Sequence, residues 1–166
     1  MKNLIHACLE LVRPQFRLNI NHGWHGISHW SRVWVNGREL CEKMELDPTV
    51  PCAFAYLHDS QRFDEGSDIM HGARACEWLD SLYQSGRLGP LNLDYRHYKL
   101  LVRAIEGHSF GETDEHPLVQ ICWDSDRLDL GRVGIIPDPQ YLCTEAAKDP
   151  AQIEKSYQRS INGSAF

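Results

Sequence analysis

Metal-capable side chains stand at four positions of this sequence where an apolar residue would be expected. Asp126 lies seven residues after Val119 and four after Cys122, so a helix would put its carboxylate on the apolar face. His58 follows Phe54 by four residues, and His29 precedes Val33 by the same spacing. A carboxylate buried without a partner costs several kcal/mol, and a divalent cation is one partner that removes the penalty. The adjacent pair His58-Asp59 is the most informative. Neighbouring helical residues diverge by about 100 degrees, yet at a helix end two such side chains can converge on one ion. Imidazole with carboxylate suits Mn, Fe, Ni or Zn, with Mg also admissible, better than the all-oxygen cage that calcium prefers. A divalent ion so held lowers the pKa of bound water from about 15.7 towards 7 and stabilises charge building on an oxygen of the group under attack, which suits hydrolysis.

Several helices are needed to bring these groups together, and helical periodicity dominates the chain. Leu4, Cys8, Leu11 and Val12 form one apolar stripe, and Tyr98, Leu101, Val102 and Ile105 another. Ile69, Ala73, Cys76, Leu79 and Tyr83 form a third. Breakers separate the segments: Pro14, Asp47-Pro48, Gly66, Gly86 with Gly89-Pro90, Gly107 with Gly111, and Pro137 to Pro139. The pattern predicts about six or seven helices and no strands. One long helix is expected over residues 24–46 despite Gly37, and a second from Asp47-Pro48 to His58-Asp59. Residues 112–117 read as an acidic loop, followed by a helix over 118–131. Beyond Pro137 one further short helix is expected around Gln152 to Ser160, before a frayed Asn-Gly-Ser segment at 162–164.

At 166 residues the chain suits one domain with its own core. Its formal charge of -6 argues against a nucleic acid polymer as partner, which demands a concentrated basic surface. No apolar run approaches the length of a membrane span. The N-terminal segment carries His6, Glu10 and Arg13 among its apolar residues, unlike a secretory signal, so the cytoplasm is the expected compartment. Six cysteines are scattered without a CxxC pair and read as buried reduced thiols.

The motifs His29-Trp30-Ser31-Arg32-Val33, then His58-Asp59, then Asp124-Ser125-Asp126-Arg127-Leu128-Asp129-Leu130, resemble the HD-domain superfamily of metal-dependent phosphohydrolases in type and order. The resemblance runs from about Gly23 to Gly134. It implies an all-α, single-domain HD-type helical bundle with a central metal site, a motif-bearing core at about 23–134 and a C-terminal tail over 135–166. It also implies His29, His58, Asp59 and Asp126 as ligands of one or two divalent ions. Asp126 takes the last position because it stands immediately before an Arg-Leu pair. Two-metal members of the superfamily insert two further histidines, and His71 and His108 resemble these, with Asp59 then bridging. Equally, both histidines can be solvent-facing or can bind a substrate phosphate.

The implied activity is that of a phosphomonoesterase or phosphodiesterase acting on a small phosphate ester, a nucleotide included. Arg62, one helical turn beyond Asp59, is a candidate to grip a phosphate oxygen in the catalytic step, and Arg32 beside His29 is another; a surface salt bridge is the plainer reading of either. His25, placed one turn before His29 on the same expected helix, and Asp129 are candidates to orient a ligand. Asp124 reads as a solvated acid, and the five tryptophans as core rather than a nucleobase pocket. No Gly-Lys follows His58-Asp59 and no Gly-Tyr-Pro follows His108, against a cyclic-dinucleotide phosphodiesterase. Arg62-Phe63 stand where alarmone hydrolases carry Glu-Asp. The remaining pattern resembles small stand-alone bacterial HD proteins. Two alternatives stay open, a di-iron oxygenase similar to inositol oxygenase and a non-catalytic HD binding module; a homo-oligomer is compatible with either.

Overall fold

A computed structural model describes residues 1–163, and Ser164 of the expected frayed tail lies outside them. Among the described residues there are eight α-helices and no strand: α1 (Lys2–Val12), α2 (Ile27–Met44), α3 (Thr49–Leu57), α4 (His71–Gln84), α5 (Tyr95–Gly107), α6 (Pro117–Arg127), α7 (Glu145–Lys148) and α8 (Pro150–Ile161). The expected count of six or seven falls one short because the one-turn α7 carries too few residues to show a period.

The helix α3 is the hub. Every residue from Val50 to Leu57 is buried, and α1, α2, α5 and α6 pack around it. A helix that is apolar all round must lie in the middle of a bundle. Close approach of α2 depends on Gly37, where a Cβ would stand 3.2 Å from Pro51 Cβ and 3.5 Å from Ser125 Cβ. That is why α2 runs through this glycine unbroken. Trp30 and Phe54 are fully buried at the centre.

Local chemistry sets the ends. Asp94 caps α5 by accepting from His97 N at 2.7 Å, and Asp149 caps α8 by accepting from Ala151 N at 3.0 Å, with Pro150 in the first turn. Glu45 closes α2 in the left-handed region at φ 55, and Leu46 N donates back to Cys41 O at 3.0 Å.

Three expectations shift. The helix α2 begins at Ile27 rather than residue 24, because extended Gly26 lets Ile27 N donate to Ile20 O at 2.8 Å and closes the preceding loop. Trp24 and His25 therefore lie on that loop, and Trp24 is 58% exposed. The buried face of α4 is His71, Gly72, Ala75, Leu79 and Leu82, so the stripe from Ile69 to Tyr83 is rotated; Ile69 precedes the helix and is exposed. The helix over 118–131 ends at Arg127 and continues as a separate 3₁₀ turn over Leu130–Val133. All six cysteines are free, four of them buried. No helix among the described residues is long and apolar enough to cross a membrane.

Candidate metal centre

Five helix ends meet at one buried point. His58 and Asp59 follow the last residue of α3, His108 follows the last residue of α5, and Asp126 is the penultimate residue of α6. His29 and His71 come from the first turns of α2 and α4. Three carboxyl ends favour a cation and two amino ends oppose it, each by about 0.3–1 kcal/mol, so the side-chain charges of Asp59 and Asp126 decide the sign.

The imidazoles are locked in one orientation. His58 Nδ1 lies 3.1 Å from Phe54 O, His71 Nδ1 2.5 Å from Asp68 O, and His108 Nδ1 2.6 Å from Ile105 O. A carbonyl only accepts, so each Nδ1 donates. His29 Nδ1 donates to the Asp129 carboxylate at 2.7 Å. In the neutral ring every Nε2 is then the lone-pair atom, and all four point inward: His29 and His58 Nε2 are 3.3 Å apart, His71 and His108 Nε2 2.7 Å. Lone pairs facing one another at such distances call for something positive between them.

The spacings define what fits. Ligand atoms about 2.1 Å from one ion, at octahedral to tetrahedral angles, stand about 3.0–3.4 Å apart. Asp59 Oδ2 lies 3.5 Å from His29 Nε2 and 3.3 Å from His58 Nε2, and Asp126 Oδ1 lies 3.4 Å and 3.9 Å from the same two nitrogens. The other oxygen of Asp59 faces the second pair, 3.2 Å from His71 Nε2 and 4.0 Å from His108 Nε2. The first set is the more regular; the second is looser, and Asp59 divides its two oxygens between them. Asp126 Oδ1 is buried and accepts no hydrogen bond among the described residues. An orphaned carboxylate oxygen beside four inward lone pairs is a donor set suited to a divalent cation.

Electrostatics follow the geometry. Burial alone would raise the Asp126 carboxyl, but His58, Arg132 and His29 hold it far below the usual range. Asp59 is likewise held well down by its histidines against the effect of burial. Burial would pull His58 down, yet the Asp59 and Asp126 charges keep it above its ordinary value. His108 is pushed down to about 3, by burial first and by His58 second, which leaves it a neutral ligand.

Around this centre stands a layer of braces. Asp129 is fully buried: besides His29 Nδ1 it accepts from Arg32 Nε at 2.7 Å, an Arg32 Nη at 3.0 Å and Ser160 Oγ at 2.6 Å. Arg32, a candidate phosphate ligand or surface ion pair, is a buried strut paired with Asp129, its other Nη donating to Ser28 Oγ. Arg62 donates from Nε to Asp59 Oδ1 at 3.0 Å and from one Nη to Gly66 O, leaving the other Nη without a partner among the described residues. His25 is buried on its loop and donates to Glu65 at 2.7 Å; it touches no ligand atom. Asp124, read as solvated, is the clearest correction. It is fully buried and accepts from Cys143 N, Thr144 N and Thr144 Oγ1, which ties the tail to α6.

Arg132 was not among the candidates. Its Nη1 donates to Asp129 O at 3.1 Å, its Nη2 stands 3.9 Å from Asp126 Oδ1, and its Nε is buried without a partner among the described residues. The sequence signal was only a basic residue beyond the last aspartate motif. Of the tryptophans, Trp30, Trp34 and Trp123 are core.

The centre opens on one side. Asp126 has 18% of its side chain exposed, against 3% or less for the five other groups. Outside it lies a cleft of about 530 Å³ with His108 and Asp126 at its floor.

This bundle is shared with solved structures. A crystal structure of a predicted HD superfamily hydrolase from an uncultured Thermotogales bacterium superposes with a TM-score of 0.65, covering 98% of this chain and 87% of that one at 22% identity. The fold is HD-type. A crystal structure of a Lactobacillus plantarum protein superposes on the same HD-type bundle with a TM-score of 0.62, covering 98% of this chain and 93% of that one at 16% identity. No protein-family model and no curated protein sequence matches the chain.

Proposed function

We propose that this chain is a metal-dependent phosphohydrolase whose ligands are His29, His58, Asp59, Asp126, His71 and His108. One observation carries the reading: four imidazole lone pairs and an unpartnered Asp126 oxygen converge around Asp59, at separations suited to a divalent ion. Such an ion, when bound, supplies Lewis acidity and an activated water. The Thermotogales protein's description as a predicted hydrolase agrees with that chemistry.

The chain's own residues supply the rest. The phosphoryl group enters past Asp126, the exposed side of the centre. Arg132 stands beside Asp126 and Arg62 beside Asp59, each with one Nη that donates no hydrogen bond among the described residues. Their charge meets the non-bridging oxygens and holds the phosphorus over the centre while water adds and the ester P–O bond breaks. Asp129 keeps His29 in the tautomer that points Nε2 inward. Guanidinium groups beside the ligands favour an anionic phosphoryl substrate over dioxygen, which is why hydrolysis leads the oxygenase reading.

The test is elemental analysis of the purified protein, then turnover of a generic phosphate ester with manganese or nickel. Asp126→Ala should lose bound metal and at least about 100-fold in rate while keeping its fold, since that oxygen has no protein partner. Equal turnover in Asp126→Ala would overturn the site. Iron with a coloured mixed-valence centre and no phosphate release would move the assignment to the oxygenase, and metal binding without any turnover to the binding module.

A further inference from the structure

The cleft outside Asp126 bears on what the phosphate is attached to. Its floor is polar, His108 and Asp126, but its wall is Leu130, Ile135, Ile136 and Tyr141. Three of these are large apolar side chains left in solvent, Ile135 52%, Ile136 65% and Tyr141 60% exposed. They sit together between the 3₁₀ turns Leu130–Val133 and Pro139–Tyr141 and on the latter, lining the same cleft as Asp126, the most exposed of the six groups. Exposed side chains of this kind clustered beside polar, metal-capable groups mark a ligand surface.

Charge narrows the class. The guanidinium lining the cleft, Arg127, is committed to Tyr141 O, Glu112 O and Cys143 Sγ. The outer wall carries an acid, Asp138. Among the described residues lining the cleft, a second phosphate beyond the reacting one would meet no unengaged cation, and would meet the Asp138 carboxylate. A single phosphoryl group at Asp126, by contrast, has Arg132 Nη2 within reach behind that carboxylate, 3.9 Å from its Oδ1.

We propose that the cleft binds the organic part of a monophosphate ester, and that this part is uncharged and apolar or aromatic, seated against Ile135, Ile136 and Tyr141. The proposal rests on the phosphohydrolase reading for the orientation of the ester, but the cleft can be tested apart from turnover. At about 530 Å³ it is of the size that accepts a one- or two-ring group.

Manganese-loaded protein would be assayed with 1-naphthyl phosphate and with glycerol phosphate, and its binding of phenylphosphonate and methylphosphonate measured by calorimetry. The aryl ester should be preferred at least about tenfold in kcat/KM, and phenylphosphonate should bind about tenfold tighter than methylphosphonate. Ile136→Asp should lower both ratios by about tenfold, acting through KM. Ile136 is largely in solvent, so this variant should melt with the wild type, and Ile161→Asp on α8 serves as a surface control. Equal kcat/KM for the two esters, or ratios untouched by Ile136→Asp, would overturn the proposal. If no ester is turned over, tighter phenylphosphonate binding that Ile136→Asp weakens would uphold the cleft while the hydrolase reading fails. Absence of that binding would overturn the cleft as well.

Discussion

Asp129 offers the most direct measure of how the centre is held. Its carboxylate has no exposure and accepts four hydrogen bonds, two from Arg32 and one each from His29 and Ser160. Burial would raise its carboxyl, but His29 and Arg32 beside it keep it below the usual carboxylate range. Asp129→Asn keeps the shape and one acceptor oxygen, yet leaves the buried Arg32 guanidinium without a counter-charge, with that oxygen and Ser28 Oγ as its acceptors. Removing one partner of a buried ion pair costs about 3–5 kcal/mol. For a chain of this length each kcal/mol lowers Tm by about 2–4 °C, so metal-free Asp129→Asn should melt about 6–20 °C lower. The ring of His29 also loses its fixed acceptor, and metal affinity should fall about 10–100-fold. Urea unfolding of the metal-free protein separates the two effects. In a background where Arg32 is already Met no charge is stranded, and the cost of Asp129→Asn should fall by half or more. A loss below about 1 kcal/mol in the wild-type background, or the same loss in both, would refute the strut.

Other outcomes follow from single contacts. Gly107→Ala puts a Cβ 2.5 Å from Trp123 Cζ2 in the contact between α5 and α6, and should destabilise by about 1–3 kcal/mol in urea; a neutral result would mean that the indole can shift freely. Metal binding must displace the proton on His58, which burial would lower but Asp59 and Asp126 hold above 6.5. Because its pKa is raised, the site is fully open to metal only above that raised value, and affinity should fall as pH drops through it; calorimetry showing a flat affinity from about pH 8 to about pH 6 would contradict this. Burial raises Cys41, Cys52 and Cys76 to about 12 and Cys143 to about 11, and raises Cys8 and Cys122 too. A disulfide-exchange reagent at about pH 8 should therefore label the native protein slowly and all six thiols after unfolding, and rapid native labelling of several would refute their burial.

What the sequence revealed and what it hid divides along contact distance. The helices show as apolar periods, and the HD-type bundle is what the resemblance carried by His29, His58-Asp59 and Asp126, in that order, implies. These are local features. Asp124 was misjudged because neighbours on a helix face different ways, and with Asp126 directed inward Asp124 looked free for solvent. Only the return of the tail, with Cys143 and Thr144 donating to it, gives Asp124 a buried role. Arg32 was misjudged for a similar reason, since Asp129 stands nearly a hundred positions away. Arg132 carries no helical-spacing signal because its link to Asp126 passes through a 3₁₀ turn, where the helical period no longer applies. His25 was placed one turn too far into a helix because the extended conformation of Gly26 leaves no mark in the apolar pattern.

The bond from Ser160 to Asp129 ties α8 to the centre. Ser160 lies on α8, and its hydroxyl reaches the carboxylate that fixes the His29 ring. A protease clip that detaches α8 should therefore free the His29 imidazole to turn before it unravels the hub, so the order in which the fold loosens begins at its far end.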